Sequence, residues 1–407
     1  MRVLFISDVY FPRVNGVSTS VRTFRHDLAA CDVETVLVAP DYGLFDTEPE
    51  EGVVRVAATG VVGDPEDRRM RWGALTRALE NLASDDFNLV HIHTPFVAHY
   101  AGVRAARRLK IPCVATYHTF FEEYLHHYIP VLPRALGRTL ARRFTRSQCR
   151  DVAALIAPSE PMRDVLLEYG VTTPIHIVPT GLAAHRFQPG NGARFRAAHD
   201  LPADRPLMLY IGRVAHEKNI DFLVRVFAQV RSSVPNALFV IAGEGPARES
   251  LRQLVASLGF AQHVHFVGYL DRDTALLDCY AAADVFVFAS RTETQGLVLL
   301  EAMAQGAPVV STAKLGTRSI LKEESGALIV DEEVDAFAAT TARVLTDRQL
   351  RATLARQGRT YAREWASLAM ARRLTELYRS VTPIAATSCA ARLNSIPVEP
   401  ALTNSPS

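Results

Sequence analysis

Short apolar runs rich in Val, Ile and Leu alternate with longer amphipathic segments along most of the chain, and the alternation occurs twice. The first series of candidate strands is Val3–Ser7, Glu34–Ala39, Leu89–His93, Cys113–Tyr117, Leu155–Pro158 and His176–Val178. The second is Leu207–Ile211, Leu238–Ala242, Val264–Val267, Val285–Ala289, Pro308–Ser311 and Ala327–Val330. Many of these runs lack polar alternation, which is the pattern of strands buried on both faces of a parallel sheet. Helical patterns lie between them, among them Val17–Ala30, Phe222–Ser232 and Glu249–Leu258. Repeated strand–helix units predict an α/β chain with two doubly wound domains.

A length of 407 residues accommodates two such domains with ample core. Pro179, Gly181, Pro189, Gly190 and Gly192 break both periodicities and mark the boundary. The expected domains are therefore 1–182 and 183–364, facing a cleft. A last helical stretch, Arg359–Ser380, contains Trp365, and its 365–380 part is expected to pack back across the first domain. The segment 381–407 is small, polar and proline-bearing, and reads as disordered.

A net charge of only +2 argues against a generic polyanion binder, and no nucleic-acid partner is expected. The five cysteines are scattered and form no CxxC, which fits a reducing cytoplasm. The opening apolar run is broken at Ser7 and Asp8, unlike a secretory signal. No window reaches the roughly 18 apolar residues of a spanning helix, so any membrane contact is expected to be peripheral.

In the second half, the stretch Ala289–Thr312 carries Glu293 and Glu301 around Gly296, just after a strand and at the start of a helix pattern. Ligands of such sheets bind outside the carboxyl ends of strands, where a helix start offers free N–H groups and a positive dipole end. Gly296 would let a phosphate approach the backbone. Glu293 would stand before the helix and Glu301 more than one turn inside it, so one could reach sugar hydroxyls and the other a ribose. The spacing alone is weak. Thr292 and Gln295 have capping-box spacing, and by themselves these residues favour an ordinary helix start.

Arg213 follows a strand and Lys218 precedes a helix. Two cations on one strand-to-helix loop suit a diphosphate, and equally an ordinary basic surface loop. Gly243-Glu244-Gly245-Pro246 looks like a tight turn with proline at the first helical position, and an incomplete dinucleotide fingerprint. In the first half, Asn15-Gly16 marks a turn before a helix, and His118 ends a strand where it could meet a substrate hydroxyl or sit satisfied in the core. His91 and His93 share one strand face, but no third metal ligand has convincing spacing.

Arg134, Arg138, Arg142, Arg146 and Arg150 fall every fourth residue, joined by Arg143, beside an apolar row of Leu132, Leu136, Leu140 and Phe144. Across 102–150 ten basic residues face two acidic ones, a net +8. Such a basic amphipathic helix fits an anionic membrane surface and a solvated face about equally.

In order and spacing, "PRVNGVSTSV", "IHTPF", "PCVATYHT", "IAPSEPMRDVL", "IVPTGL", "YIGRVAHEKNI", "IAGEGP", "HFVGYL" and "RTETQGLVLLEAMAQGAPVV" resemble glycosyltransferase family 4 over roughly residues 1–380. The resemblance implies a GT-B fold and a retaining, metal-independent transferase with a nucleotide-sugar donor. By position, Arg213 and Lys218 would hold the donor diphosphate and Gly296, Leu297 and Val298 would offer it N–H groups. Glu293 would contact the sugar, Glu301 the ribose, and His118 would lie at the reaction centre. Gly16 matches the glycine loop near the phosphates and acceptor, Gly243 falls in the donor domain's glycine turn, and the backbone near Tyr269 would flank the base. Asn15-Gly16 and Gln295 depart from the commoner pattern and are similar to the subgroup that glycosylates diacylglycerol.

The expectation is thus a hexosyltransferase using UDP-glucose and acting on diacylglycerol at the inner face of the cytoplasmic membrane, with no cofactor. The alternatives are a GDP-mannose-dependent enzyme acting on a glycolipid, a transferase with a soluble acceptor, and a nucleotide-sugar sensor without turnover.

Overall fold

The computed structural model describes residues 1–43, 50–61, 64–118 and 134–382. The first half supplies strands β1 (Arg2–Ile6), β2 (Glu34–Pro40), β3 (Val53–Val56), β4 (Ala58–Val61), β5 (Asp64–Met70), β6 (Leu89–Ile92), β7 (Cys113–Thr116), β8 (Ala154–Ala157) and β9 (Ile175–Ile177). Its helices are α1 (Gly16–Ala29), α2 (Trp72–Asn81), α3 (Val97–Leu109), α4 (Arg134–Cys149) and α5 (Glu160–Glu168). The main sheet runs β3-β2-β1-β6-β7-β8-β9 and its pairings are parallel.

The second half holds β10 (Leu207–Ile211), β11 (Leu238–Ala242), β12 (Val264–Gly268), β13 (Val285–Phe288), β14 (Val309–Ser311) and β15 (Ala327–Ile329). The helices are α6 (Gly192–Ala198), α7 (Ile220–Ser233), α8 (Arg248–Ser257), α9 (Ala275–Ala281), α10 (Leu297–Gln305), α11 (Val334–Thr346), α12 (Arg348–Arg363) and α13 (Ser367–Val381). Its parallel sheet runs β12-β11-β10-β13-β14-β15. Strand order reverses between β1 and β6 in the first sheet and between β10 and β13 in the second. Loops at these switch points form the crevice where such sheets bind ligands.

The apolar strands explain the architecture. All five residues of β10 and of β11 are buried, because helices cover both sheet faces. One core fills the second lobe, and two lie on opposite faces of the first sheet. The hairpin β4–β5 was not expected, since Asp64-Pro65-Glu66-Asp67-Arg68-Arg69 has no apolar alternation to betray a strand.

The closing helical stretch is broken rather than continuous. Ala366 is extended between α12 and α13, and Leu182 pairs with it: Leu182 N donates to Trp365 O at 2.7 Å and Ser367 N to Leu182 O at 2.9 Å. The two chain crossings between lobes are thereby tied together. A side chain at Gly181 would collide with the Ser367 backbone, so the close crossing requires glycine. Beyond it, α13 packs on α1 and contributes Met370, Leu374 and Tyr378 to the first lobe's core. Residues 383–407 lie outside the described residues.

Candidate functional site

The loops after β10 and β13, at the switch point of the second lobe, bring Lys218 and Glu293 together, with Arg213 on the same loop as Lys218. After β10, Tyr210 Oη donates to Arg213 O at 3.1 Å, fixing the start of the loop. A short 3-10 turn then ends at Lys218, and left-handed Asn219 donates through Nδ2 to Ala289 O at 3.3 Å. This bond ties the loop to the end of the neighbouring strand β13. Lys218 Nζ donates to Glu293 Oε2 at 2.8 Å, with both side chains about one-fifth exposed. Arg213 lies 3.6 Å from Glu217.

Gly296 caps α10 with φ +99, a conformation that disfavours any side chain. The N–H groups of Leu297 and Val298 open the helix and lack acceptors within it. The arrangement is a pair of cations, a carboxylate and a helix start around one crevice. It can hold an anionic group by charge and by N–H donation, and orient hydroxyls through Glu293.

Gln295, Glu301 and Gly243 are each engaged with other parts of the chain. Gln295 does not cap the helix; it reaches into the other lobe. Its Oε1 accepts from Thr180 N at 2.8 Å and its Nε2 donates to Thr180 O at 2.6 Å. Glu301, the expected ribose contact, has partners within the chain. It is buried, accepting from Tyr280 Oη at 3.0 Å and from Arg272 Nη2 at 3.0 Å, with Arg186 Nε at 3.8 Å. Gly243 (φ +128) packs closely: a side chain there would strike Gly212 O, and Val214 N donates to Glu244 O at 2.9 Å beside it. The 243–245 turn therefore buttresses the loop that bears Arg213. Pro246 precedes α8, which begins at Arg248.

In the first lobe, Asn15 and Gly16 start α1 through a reciprocal cap. Asn15 Oδ1 accepts from Ser18 N, and Ser18 Oγ accepts from Asn15 N, each at 2.9 Å. The Asn15 side chain is thus spent on the helix, while Gly16 has open space where a Cβ would stand. Asp8 lies buried at the start of α3, accepting from Thr94 Oγ1 at 2.8 Å and from Ala98 N at 3.1 Å. Burial pushes its carboxyl up to about 6 despite these bonds.

His118 stands at the end of β7, its ring 5.8 Å from that of His93, which is 4.0 Å from that of His91. Burial lowers the His118 imidazole to about 4. His91 and His93 are also held well below the ordinary value, His91 by burial and the charge of His118, His93 by burial and the charges of His91 and His118. All three are neutral near pH 7. His91 is bonded at both ring nitrogens, to Tyr378 Oη at 2.6 Å and Thr116 Oγ1 at 2.7 Å, which leaves it no lone pair for a metal ion. A cavity of about 30 Å³ lined by Thr94, Pro95, Thr116, His118 and Gln148 opens beside it.

Sequence reasoning missed Arg13. Its Nε donates to Asp67 on β5 at 3.0 Å, and its Nη1 to Tyr269 Oη in the other lobe at 3.3 Å. Its only signal was adjacency to the Asn15-Gly16 turn. Tyr269 itself is about half exposed, at the carboxyl end of β12.

The arginine stripe of α4 does not form one face. Arg142 stacks over Tyr169 at 5.2 Å, and Arg146 lies along Gly170, so the neighbouring helix end takes both. Arg143 and Arg150 are exposed, and the side chains of Arg134 and Arg138 lie outside the described residues. Every fourth residue drifts around a 3.6-residue helix, which is why the row divides. Among the described residues no helix is long and apolar enough to cross a membrane.

Residues 14–186 match the family model "Glycosyltransferase Family 4", and residues 192–361 match "Glycosyl transferases group 1". The alpha-monoglucosyldiacylglycerol synthase of Streptococcus pneumoniae is 30% identical over 85% of this chain and 79% of its own. The chain belongs to glycosyltransferase family 4. The GDP-mannose-dependent alpha-mannosyltransferase of Mycobacterium tuberculosis is 29% identical over 90% of this chain and 93% of its own. Among solved structures, sucrose-phosphate synthase from Thermosynechococcus elongatus superposes with a TM-score of 0.76 at 24% identity, covering 93% of this chain and 98% of that one. The fold is GT-B, and this family 4 member is a nucleotide-sugar-dependent hexosyltransferase.

Proposed function

We propose that this transferase moves glucose from UDP-glucose onto the free hydroxyl of diacylglycerol, with retention at the anomeric carbon. The observation that carries the reading is the similarity, over most of both chains, to an alpha-monoglucosyldiacylglycerol synthase. The geometry supports the donor half. Arg213, Lys218 and the first N–H groups of α10 border the crevice from neighbouring switch-point loops. A departing diphosphate gains negative charge as its bond to the sugar breaks, and fixed cations and amides stabilise it without a metal ion. Lys218 has three donors and so can serve a phosphate oxygen while keeping Glu293.

In this reading the bond from the anomeric carbon to the phosphate oxygen breaks, and its electron pair stays on UDP. The acceptor oxygen forms the new bond on the same face and passes its proton to the departing phosphate oxygen. Glu293 and neutral His118 orient the sugar and form no covalent bond. A second reading, mannosyl transfer from GDP-mannose, is favoured by the mannosyltransferase similarity over nearly the full length of both chains.

One panel separates the two: UDP-glucose, UDP-galactose and GDP-mannose, each with diacylglycerol in mixed micelles. Released nucleotide identifies the donor and mass spectrometry the lipid product. UDP release with a monohexosyl-diacylglycerol is expected; GDP release alone establishes the second reading. Absence of a glycolipid with every donor removes the diacylglycerol assignment.

A further inference from the structure

Among the described residues, the exposed large aromatics of the first lobe do not lie on the arginine-rich α4. They sit at the start of α2 and α3: Trp72 is 48% exposed, Phe96 47% and Tyr100 50%. Both helices flank β6, one leading into it and one leaving it, and both run opposite to the strands. They pack side by side, with Arg108 Nη1 donating to Glu80 Oε1 at 2.8 Å near their ends. Trp72 lies eight residues before Glu80, and Tyr100 eight before Arg108. On parallel helices this places both aromatics at one level, roughly 12 Å from the ion pair. Phe96, Tyr100, Arg104 and Arg108 follow one another at every fourth position, as do Trp72, Thr76 and Glu80.

Charge accompanies these aromatics. Arg69, Arg71, Arg77 and Arg104 are exposed, and none pairs with a carboxylate among the described residues. Arg71 adjoins Trp72 in sequence, and Arg104 stands one helical turn from Tyr100. The aromatic end of the face is also the carboxyl end of the sheet, a few residues from His93 and beside the cavity at His118.

We propose that the α2–α3 face is the surface by which this chain lies on an anionic bilayer, with Trp72 and Tyr100 at the headgroup level and Arg69, Arg71, Arg77 and Arg104 on lipid phosphates. Half-exposed aromatics flanked by arginines suit the interface between water and acyl chains, and anionic lipid supplies the missing counter-charge. A lipid hydroxyl at that level enters the cleft from the side of His118. This inference rests on the lipid-acceptor reading above, and its test is kept separate from transfer.

The full-length protein, without donor, is sedimented with vesicles of equal phosphatidylglycerol and phosphatidylcholine, and with phosphatidylcholine alone. Binding is expected to the anionic vesicles only, and to weaken in 0.5 M salt. The Trp72→Ser/Tyr100→Ser variant should lose at least tenfold in partitioning. An Arg71→Gln/Arg104→Gln variant should lose about thirtyfold, at roughly 1 kcal/mol per arginine. Both should still bind UDP and transfer to a dispersed short-chain acceptor as the parent does. An Arg143→Gln/Arg150→Gln variant on α4 should partition normally. Unchanged partitioning of the α2–α3 variants, selective loss in the α4 variant, or no binding by the parent protein overturns the proposal. Vesicle binding by a protein that glycosylates no diacylglycerol leaves this surface standing and removes the acceptor assignment.

Discussion

The Gln295 side-chain amide holds both the N–H and the carbonyl of Thr180, and so joins the turn before α10 to the segment where the chain crosses between lobes. Thr180 Oγ1 in turn lies 2.7 Å from Ser20 Oγ on α1. The turn bearing Glu293 is thus connected through one residue to the helix that opens at Gly16. Gln295→Leu should lower stability by about 2–4 kcal/mol, because two buried backbone groups lose their partner. It should also raise KM for the donor. Thermal unfolding and initial rates check this; an unchanged melting midpoint would show the pair to be dispensable.

Lys218→Ala should reduce transfer at least 100-fold, the scale of losing one preorganised electrostatic partner of a developing anion. Circular dichroism should remain that of the parent, since among the described residues the Lys218 side chain bonds only to partly exposed Glu293. Normal turnover in this variant would remove the diphosphate assignment.

Glu301→Gln tests a buried charge cluster. Arg186 and Arg272 would be left with a neutral partner, and Arg186 is almost fully buried. Breaking such a pair costs about 3–5 kcal/mol, so the expected change is a lower denaturation midpoint. Full stability combined with weaker donor binding would instead support the expected ribose contact.

The neutral state of His118 has a definite pH signature. Its folded value is near 4, below the ordinary 6.5, so the unfolded chain binds more protons between these limits. The stability it confers is complete above pH 6.5 and is lost as the pH falls towards 4. From pH 7 to 5 that loss is of order 1–2 kcal/mol, and it should be absent from His118→Gln. Asp8, raised to about 6, acts in the opposite sense, losing stability as pH rises through that value, so the comparison must be made between parent and variant. Denaturant midpoints at the two pH values and the imidazole carbon shifts of His118 report it; titration near 6.5 would contradict the burial assigned to this ring.

Much of the candidate site was legible because it is local. Arg213 and Lys218 share one loop, and Glu293 and Gly296 one turn, so strand–helix periodicity alone placed them at the carboxyl ends of β10 and β13. Arg13 was illegible, since its partners Asp67 and Tyr269 are distant in sequence and belong to different elements. The arginines of α4 divide because a spacing of four drifts around a 3.6-residue helix. Which of them meet Tyr169 depends on how the neighbouring helix packs.

By itself the sequence determined the alternation of buried strands and amphipathic helices, and with it two parallel sheets and loops poised at their carboxyl ends. These follow from burial of apolar period, a property of neighbours in the chain. Only the tertiary structure decided that Gln295 serves the lobe seam, that Glu301 is absorbed by Arg186, Arg272 and Tyr280, and that the exposed aromatics gather on α2 and α3. Each of those outcomes turns on which groups, far apart along the chain, compete for the same donor, acceptor or patch of solvent.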